Sequence, residues 1–181
     1  MNVMEILDHE HQLIAPALQV ARSYARRLAL PGAVADPVGL ELVGFLDRFV
    51  SQCHQAKEFV LFVSLLRKGH ASVTSPVAGL HAEHSRLAQL TEALAVAWQM
   101  LMDGQAGSGE LVAGYLEDYA VLLQEHLRKE ERFYKVTHAV LGSEDQAELK
   151  AVFDKVEQET LGTGGYSRYS QWACELAGAR F

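Results

Sequence analysis

Two short stretches carry residues able to do metal chemistry: His54-Gln55-Ala56-Lys57-Glu58 and His126-Leu127-Arg128-Lys129-Glu130, both of the form His-x-x-Lys-Glu. Residues four apart share a helix face one turn from each other, so each stretch presents an imidazole nitrogen and a carboxylate to one point. One such pair alone is ordinary on a solvated helix. Two of them, each interrupting an apolar stripe, can build a two-metal pocket, and burying them is costly unless they are satisfied.

The helices that must position these stretches can be read from caps and periodicity. Asn2 and Glu5 have capping-box spacing, so a first helix starts at once and runs to about Leu30. Its inner stripe is Leu7, His11, Ile14, Leu18, Ala21, Ala25 and Leu28, and Pro16 predicts a bend after His11. Asp36-Pro37 opens a second helix over about 37–68. Its inner face reads Val43, Leu46, Val50, His54, Glu58, Leu61 and Leu65, with Lys57 expected to snorkel outward. Gly69 to Ser75 reads as a loop, and Ser75-Pro76 as the start of a third helix over about 76–103, with His84 on its stripe and His81 at the edge of the same face.

A glycine-rich turn, Asp103 to Gly109, leads into a fourth helix over about 110–141 carrying Tyr115, Tyr119, Leu122, His126, Glu130 and Phe133 inward. Ser143-Glu144-Asp145-Gln146 reads as a capping box for a shorter helix ending near Gly162. Tyr166 to Ala179, with Tyr169, Trp172 and Leu176, is a last amphipathic piece expected to pack on one end of the bundle. No stretch sustains strand alternation. The predicted fold is all-α: an up-down-up-down four-helix bundle over residues 1–141, with additional C-terminal helices, 142–181, packed on it as an extension.

The four long stripes share a plan. Helix one carries Glu10-His11 and helix three Glu83-His84, while helices two and four each carry the His-x-x-Lys-Glu stretch; His11 to His54 is 43 positions and His84 to His126 is 42. Two hairpins of one design, related by an approximate twofold axis, would bring the six candidate ligands to one centre, as in di-iron four-helix bundles. Four imidazoles, two carboxylates and no thiolate suit a first-row metal, iron first, with manganese and zinc also compatible. His9, His70 and His138 fall off the stripes.

Composition narrows the rest. A chain of 181 residues can bury a core without a staple, so a metal would serve function more than folding. With 16 Lys and Arg against 23 Asp and Glu the net charge is -7, and no basic cluster faces a phosphate backbone, so nucleic acid is not an expected partner. Cys53 and Cys174 lack metal or redox spacing and fit a reduced, cytoplasmic setting, with Cys53 read as a buried thiol or a redox-sensitive one. The acidic first helix is unlike a signal peptide, and no uncharged apolar run approaches the ~20 residues of a membrane span.

Taken together, Glu10-His11, His54 to Phe62, Glu83-His84 and His126 to Phe133 resemble the hemerythrin-like, HHE cation-binding family over about residues 3 to 141. That resemblance implies a four-helix bundle holding a non-haem di-iron centre, with His11, His54, His84 and His126 as terminal ligands and Glu58 and Glu130 bridging or binding the two irons. The oxygen-carrying hemerythrins take two histidines four apart from their third helix, whereas His81 and His84 are three apart, so His81 is either a fifth nitrogen ligand or a neighbour. Those proteins also take the last carboxylate five residues after its histidine, which points to Glu131; the spacing shared with helix two points to Glu130, the stripe position.

Four functions compete. The favoured one is a protein that binds or senses dioxygen, nitric oxide or a small anion at a nitrogen-rich di-iron site. A di-iron enzyme acting on peroxide or nitric oxide, or oxidising iron, would use Tyr115 or Tyr119 as proton or electron donors. Iron handling and a bundle whose histidines only pack complete the set. The ligands form the one catalytic constellation in view.

Overall fold

The structure is a computed structural model that describes residues 2–69, 71–137 and 140–178. His70, His138 and Ala179, together with the side chain of Leu176, lie outside the described residues. The fold is an all-α helical bundle, with no strand among the described residues. Its elements are α1 (Val3–Leu28), α2 (Pro37–Gly44), a π-helical stretch (Phe45–His54), α3 (Gln55–Arg67), α4 (Ala71–Met102), α5 (Ser108–Thr137), α6 (Ser143–Leu161) and α7 (Gly165–Gly178).

The caps act as the sequence predicts at the first two starts. Asn2 Oδ1 accepts from the Glu5 amide at 2.9 Å while Glu5 reaches back to the Asn2 amide at 2.8 Å, and Asp36 accepts from the Gly39 amide at 2.9 Å. Packing requires glycine at position 39, since a Cβ there would sit 2.0 Å from the Trp98 ring. The start of α6 is offset by one residue, with Asp145 accepting from the Gly142 amide at 2.9 Å.

Two differences from the expected helices have physical causes. The segment read as a loop before Pro76 is helical from Ala71, because Val73 is fully buried against one core and the burial outweighs the hydrogen bond Pro76 cannot donate. Helix two runs unbroken from Pro37 to Arg67 but passes through the π-helical stretch, where bonds skip five residues; the Gln55 amide donates to the Val50 carbonyl. The wider turn buries Phe45 and Phe49 outright and leaves Val43 half-buried. The stretch ends at His54, so it sets the register of the first His–Glu pair.

Two apolar cores fill the interior. One gathers Val3, Met4, Leu7, Leu61, Phe62, Leu65, Val73, Val77, Leu80 and Phe133; the other runs from Ile14 through Phe45, Phe49, Leu87, Leu94, Trp98, Val112 and Leu123. Their order along the chain reverses from each long helix to the next. On every one of those helices the candidate ligands fall between the two cores: His11 after Leu7 and before Ile14, His54 and Glu58 after Cys53 and before Leu61, His84 between Leu80 and Leu87, and His126 and Glu130 between Leu123 and Phe133. A polar layer thus lies across the middle of the bundle. Outside it, α6 packs on α3 and the π-helical stretch, and α7 on α1, with the Trp172 ring stacked 4.8 Å from Phe45 and its Nε1 donating to Glu41.

Candidate metal centre

The polar layer brings together two groups of four side chains, His11, His54, Glu58, Glu130 and Glu58, His84, His126, Glu130, each offering ligand atoms within 4.8 Å of one another. Glu58 and Glu130 belong to both. All but His11, which lies at the margin with its side chain 13% exposed, are buried. Six imidazole–carboxylate distances within the groups span 2.8 to 3.9 Å, from His126 Nε2 to Glu130 at the short end to His11 Nε2 to Glu58 at the long end.

Closeness is not the same as hydrogen bonding here. His11 Nε2, His54 Nε2, Glu58 Oε2 and both Glu130 oxygens are buried without an aligned partner. Such groups are costly in a protein interior. His84 and His126 also face each other Nε2 to Nε2 at 2.9 Å, a contact in which only one nitrogen can carry a proton.

The outer partners fix which nitrogens face inward. His54 Nδ1 donates to Glu10 and His126 Nδ1 to Glu83, each at 2.9 Å. With Nδ1 held on its outer carboxylate, Nε2 of each ring is directed into the layer. These carboxylates also hold lysines: Lys57 donates to Glu10 and Lys129 to Glu83. Sequence reading marked Glu10-His11 and Glu83-His84 as pairs but gave the glutamates no task, because their partners lie on other helices. It also had Lys57 pointing to solvent, whereas Lys57 is fully buried, its charge met by Glu10 and by Glu157 of α6.

Charge explains the rest of the geometry. Burial alone would push the Glu58 carboxyl up, but the imidazoles of His54, His11 and His84 hold it well below the ordinary value. Glu130 is opposed by burial and by Glu58, and His126 and His11 still bring it down. In turn, burial disfavours the His11 and His84 imidazoliums, yet Glu130 and Glu58 raise them to about 10 and about 9. Two buried carboxylates therefore require positive charge beside them, which imidazolium protons supply here and a cation could supply instead. This donor set, nitrogen-rich with two shared carboxylates and unpartnered inward atoms, fits a metal.

Tyr134 was missed. Its hydroxyl donates to Glu58 Oε1, and its ring stacks on His11 with centroids 5.9 Å apart. The signal was present, since Tyr134 falls one turn beyond Glu130 as Glu130 falls one turn beyond His126. Burial and the two carboxylates push its phenol well above the ordinary value. Tyr119 and Tyr115 belong instead to the apolar core on the far side of the layer. His81 is not brought into either group: it is exposed, with its ring 6.0 Å from Phe59. Glu131 points away and pairs with Lys135 at 2.9 Å.

No curated protein and no solved structure gives a significant match to the chain. The hemerythrin HHE cation-binding domain does match, over residues 2–136, a span that contains every side chain of both groups, and the chain belongs to that family.

Proposed function

We propose that this is a non-haem di-iron protein that binds or senses dioxygen, nitric oxide or a related small or anionic ligand. His11, His54, Glu58 and Glu130 would hold one ion, and His84, His126, Glu58 and Glu130 the other. The observation that carries this reading is the pair of four-residue groups that share Glu58 and Glu130, with His11 Nε2, His54 Nε2, Glu58 Oε2 and both Glu130 oxygens buried and facing inward without partners. Bound iron would supply an open coordination position and a redox couple. The chain supplies orientation, through Glu10 and Glu83 on the outer nitrogens of His54 and His126, and access, through a groove of about 910 Å³ whose lining includes His11, Gln12, Leu127 and Tyr134. Residues 1–141 would form the metal-binding bundle. Two free cysteines suit a reducing, cytoplasmic setting, and no described helix is long and apolar enough to cross a membrane.

One observation favours an enzyme acting on peroxide or nitric oxide: the Tyr134 hydroxyl stands against Glu58 as a proton donor. Metal analysis of the purified protein, followed by absorption spectra with air, peroxide and nitric oxide, separates these readings. Near two irons per chain and an oxo-bridged ferric band that responds to the ligand without turnover are expected. Sustained peroxide consumption that Tyr134→Phe abolishes would favour the enzyme, and zinc or an absence of metal would overturn both.

A further inference from the structure

We propose that Glu157, on the C-terminal helix α6, is a positioning residue for the metal centre and tunes His54 through Lys57 and Glu10. This rests on the two-group reading above. The family match ends at residue 136, so α6 lies outside the part of the chain that the family accounts for. Lys57 Nζ, fully buried, donates to Glu157 Oε2 at 2.9 Å and to Glu10 Oε1; Glu10 Oε2 in turn accepts from His54 Nδ1 at 2.9 Å. The counterpart across the layer, His126, Glu83 and Lys129, repeats three of these four members and lacks the outer glutamate. Lys129 is paired with Glu83, is 52% exposed, and meets no second carboxylate among the described ion pairs.

Sharing decides the effect. A lysine serving one carboxylate neutralises it; a lysine serving two leaves part of the charge on each. With Glu157 in place Glu10 keeps more negative charge toward the Nδ1–H of His54, and a more strongly polarised imidazole is a more basic donor at Nε2. Without that charge Lys57 belongs to Glu10 alone, and His54 weakens as a ligand. Glu157 is 35% exposed, so neutralising it does not strand a buried charge, and α6 still holds by Leu149, Phe153 and Leu161.

The test uses the full chain loaded with cobalt(II), whose visible absorption reports ligand geometry and whose release into a chelator can be timed. In Glu157→Gln one of two release phases should accelerate, by up to about tenfold, with a shifted visible band, while the other phase and the melting midpoint of the metal-free protein match the parent. Glu159→Gln, on the exposed face of α6, should behave as the parent. Unchanged release and spectrum in Glu157→Gln would overturn the proposal, as would equal acceleration of both phases with a lowered midpoint, which marks a merely structural role. A parent that takes up one cobalt overturns the two-ion reading but leaves the relay to be read from that ion's release; a parent that takes up none overturns both.

Discussion

The two halves of the polar layer are built from one plan and finished differently. Glu10, His54 and Lys57 repeat in Glu83, His126 and Lys129, with the same bonds between the same atoms. Yet Glu10 and Lys57 are fully buried under α6, whereas Glu83 keeps 16% and Lys129 52% of its side-chain exposure. A repeated motif therefore fixes which atoms meet, and the segment packed outside it fixes how much each contact weighs. The same ion pair is screened by water in one half and bears a buried charge in the other.

The largest effect should come from deleting an imidazole of either half. His54→Ala and His126→Ala each remove an inward nitrogen, so each should lose most of the bound metal while circular dichroism keeps its helical signal. His9→Ala, whose ring bonds the Glu5 carbonyl on the surface, should retain the full load. Equal losses from all three would dissolve the comparison at its root.

The outer carboxylates come next. Glu10→Gln and Glu83→Gln should each weaken metal binding by about 10- to 100-fold, since each releases the Nδ1–H that fixes a ring. Only Glu10→Gln should also lower the melting midpoint, because it leaves Lys57 buried with Glu157 as its one charged partner. A matching fall in Glu83→Gln would mean that the exposed half is as dry as the covered one.

Lysine substitutions sharpen the contrast without touching a ring. Lys57→Met should cost about 3–5 kcal/mol, the usual penalty for stripping one partner from a buried pair. Lys129→Met should stay within about 1 kcal/mol, as for other exposed pairs. Denaturant titration of the two variants measures both.

How much of this was legible beforehand follows the same division. The His-x-x-Lys-Glu stretches, the stripe histidines and the caps at Asn2 and Asp36 are local patterns, and they appear where periodicity puts them. Apart from Tyr134, whose place one turn beyond Glu130 is itself a local pattern, what escaped notice depends on contacts between distant segments. Lys57 turns inward because Glu10 and Glu157 lie 47 and 100 positions away. Ala71 to Ser75 is helical because Val73 meets a core assembled from other helices. The π-helical stretch has no composition signal, and it adds Phe45 and Phe49 to the inner face of helix two while Leu46, Val50, His54 and Glu58 stay where periodicity puts them.

The smallest expected effect concerns the open half and decides between two adjacent glutamates. Glu130 is fully buried, shared by both groups, and has both oxygens without partners; Glu131 has its side chain 59% exposed and is paired with Lys135 in an i,i+4 contact on the surface of α5. Replacing Glu130 by Gln keeps the size but removes a charge that His126 and His11 face, so metal content should drop clearly below the parent. Replacing Glu131 by Gln removes a charge that water already screens, so metal content, spectrum and melting midpoint should all match the parent. Glu131 nevertheless lines the groove beside His11, and a shift of α5 by one residue would carry it toward the centre. Loss of metal in Glu131→Gln with retention in Glu130→Gln would show that this rearrangement occurs on loading, and the two halves would then differ in ligand spacing as well as in burial.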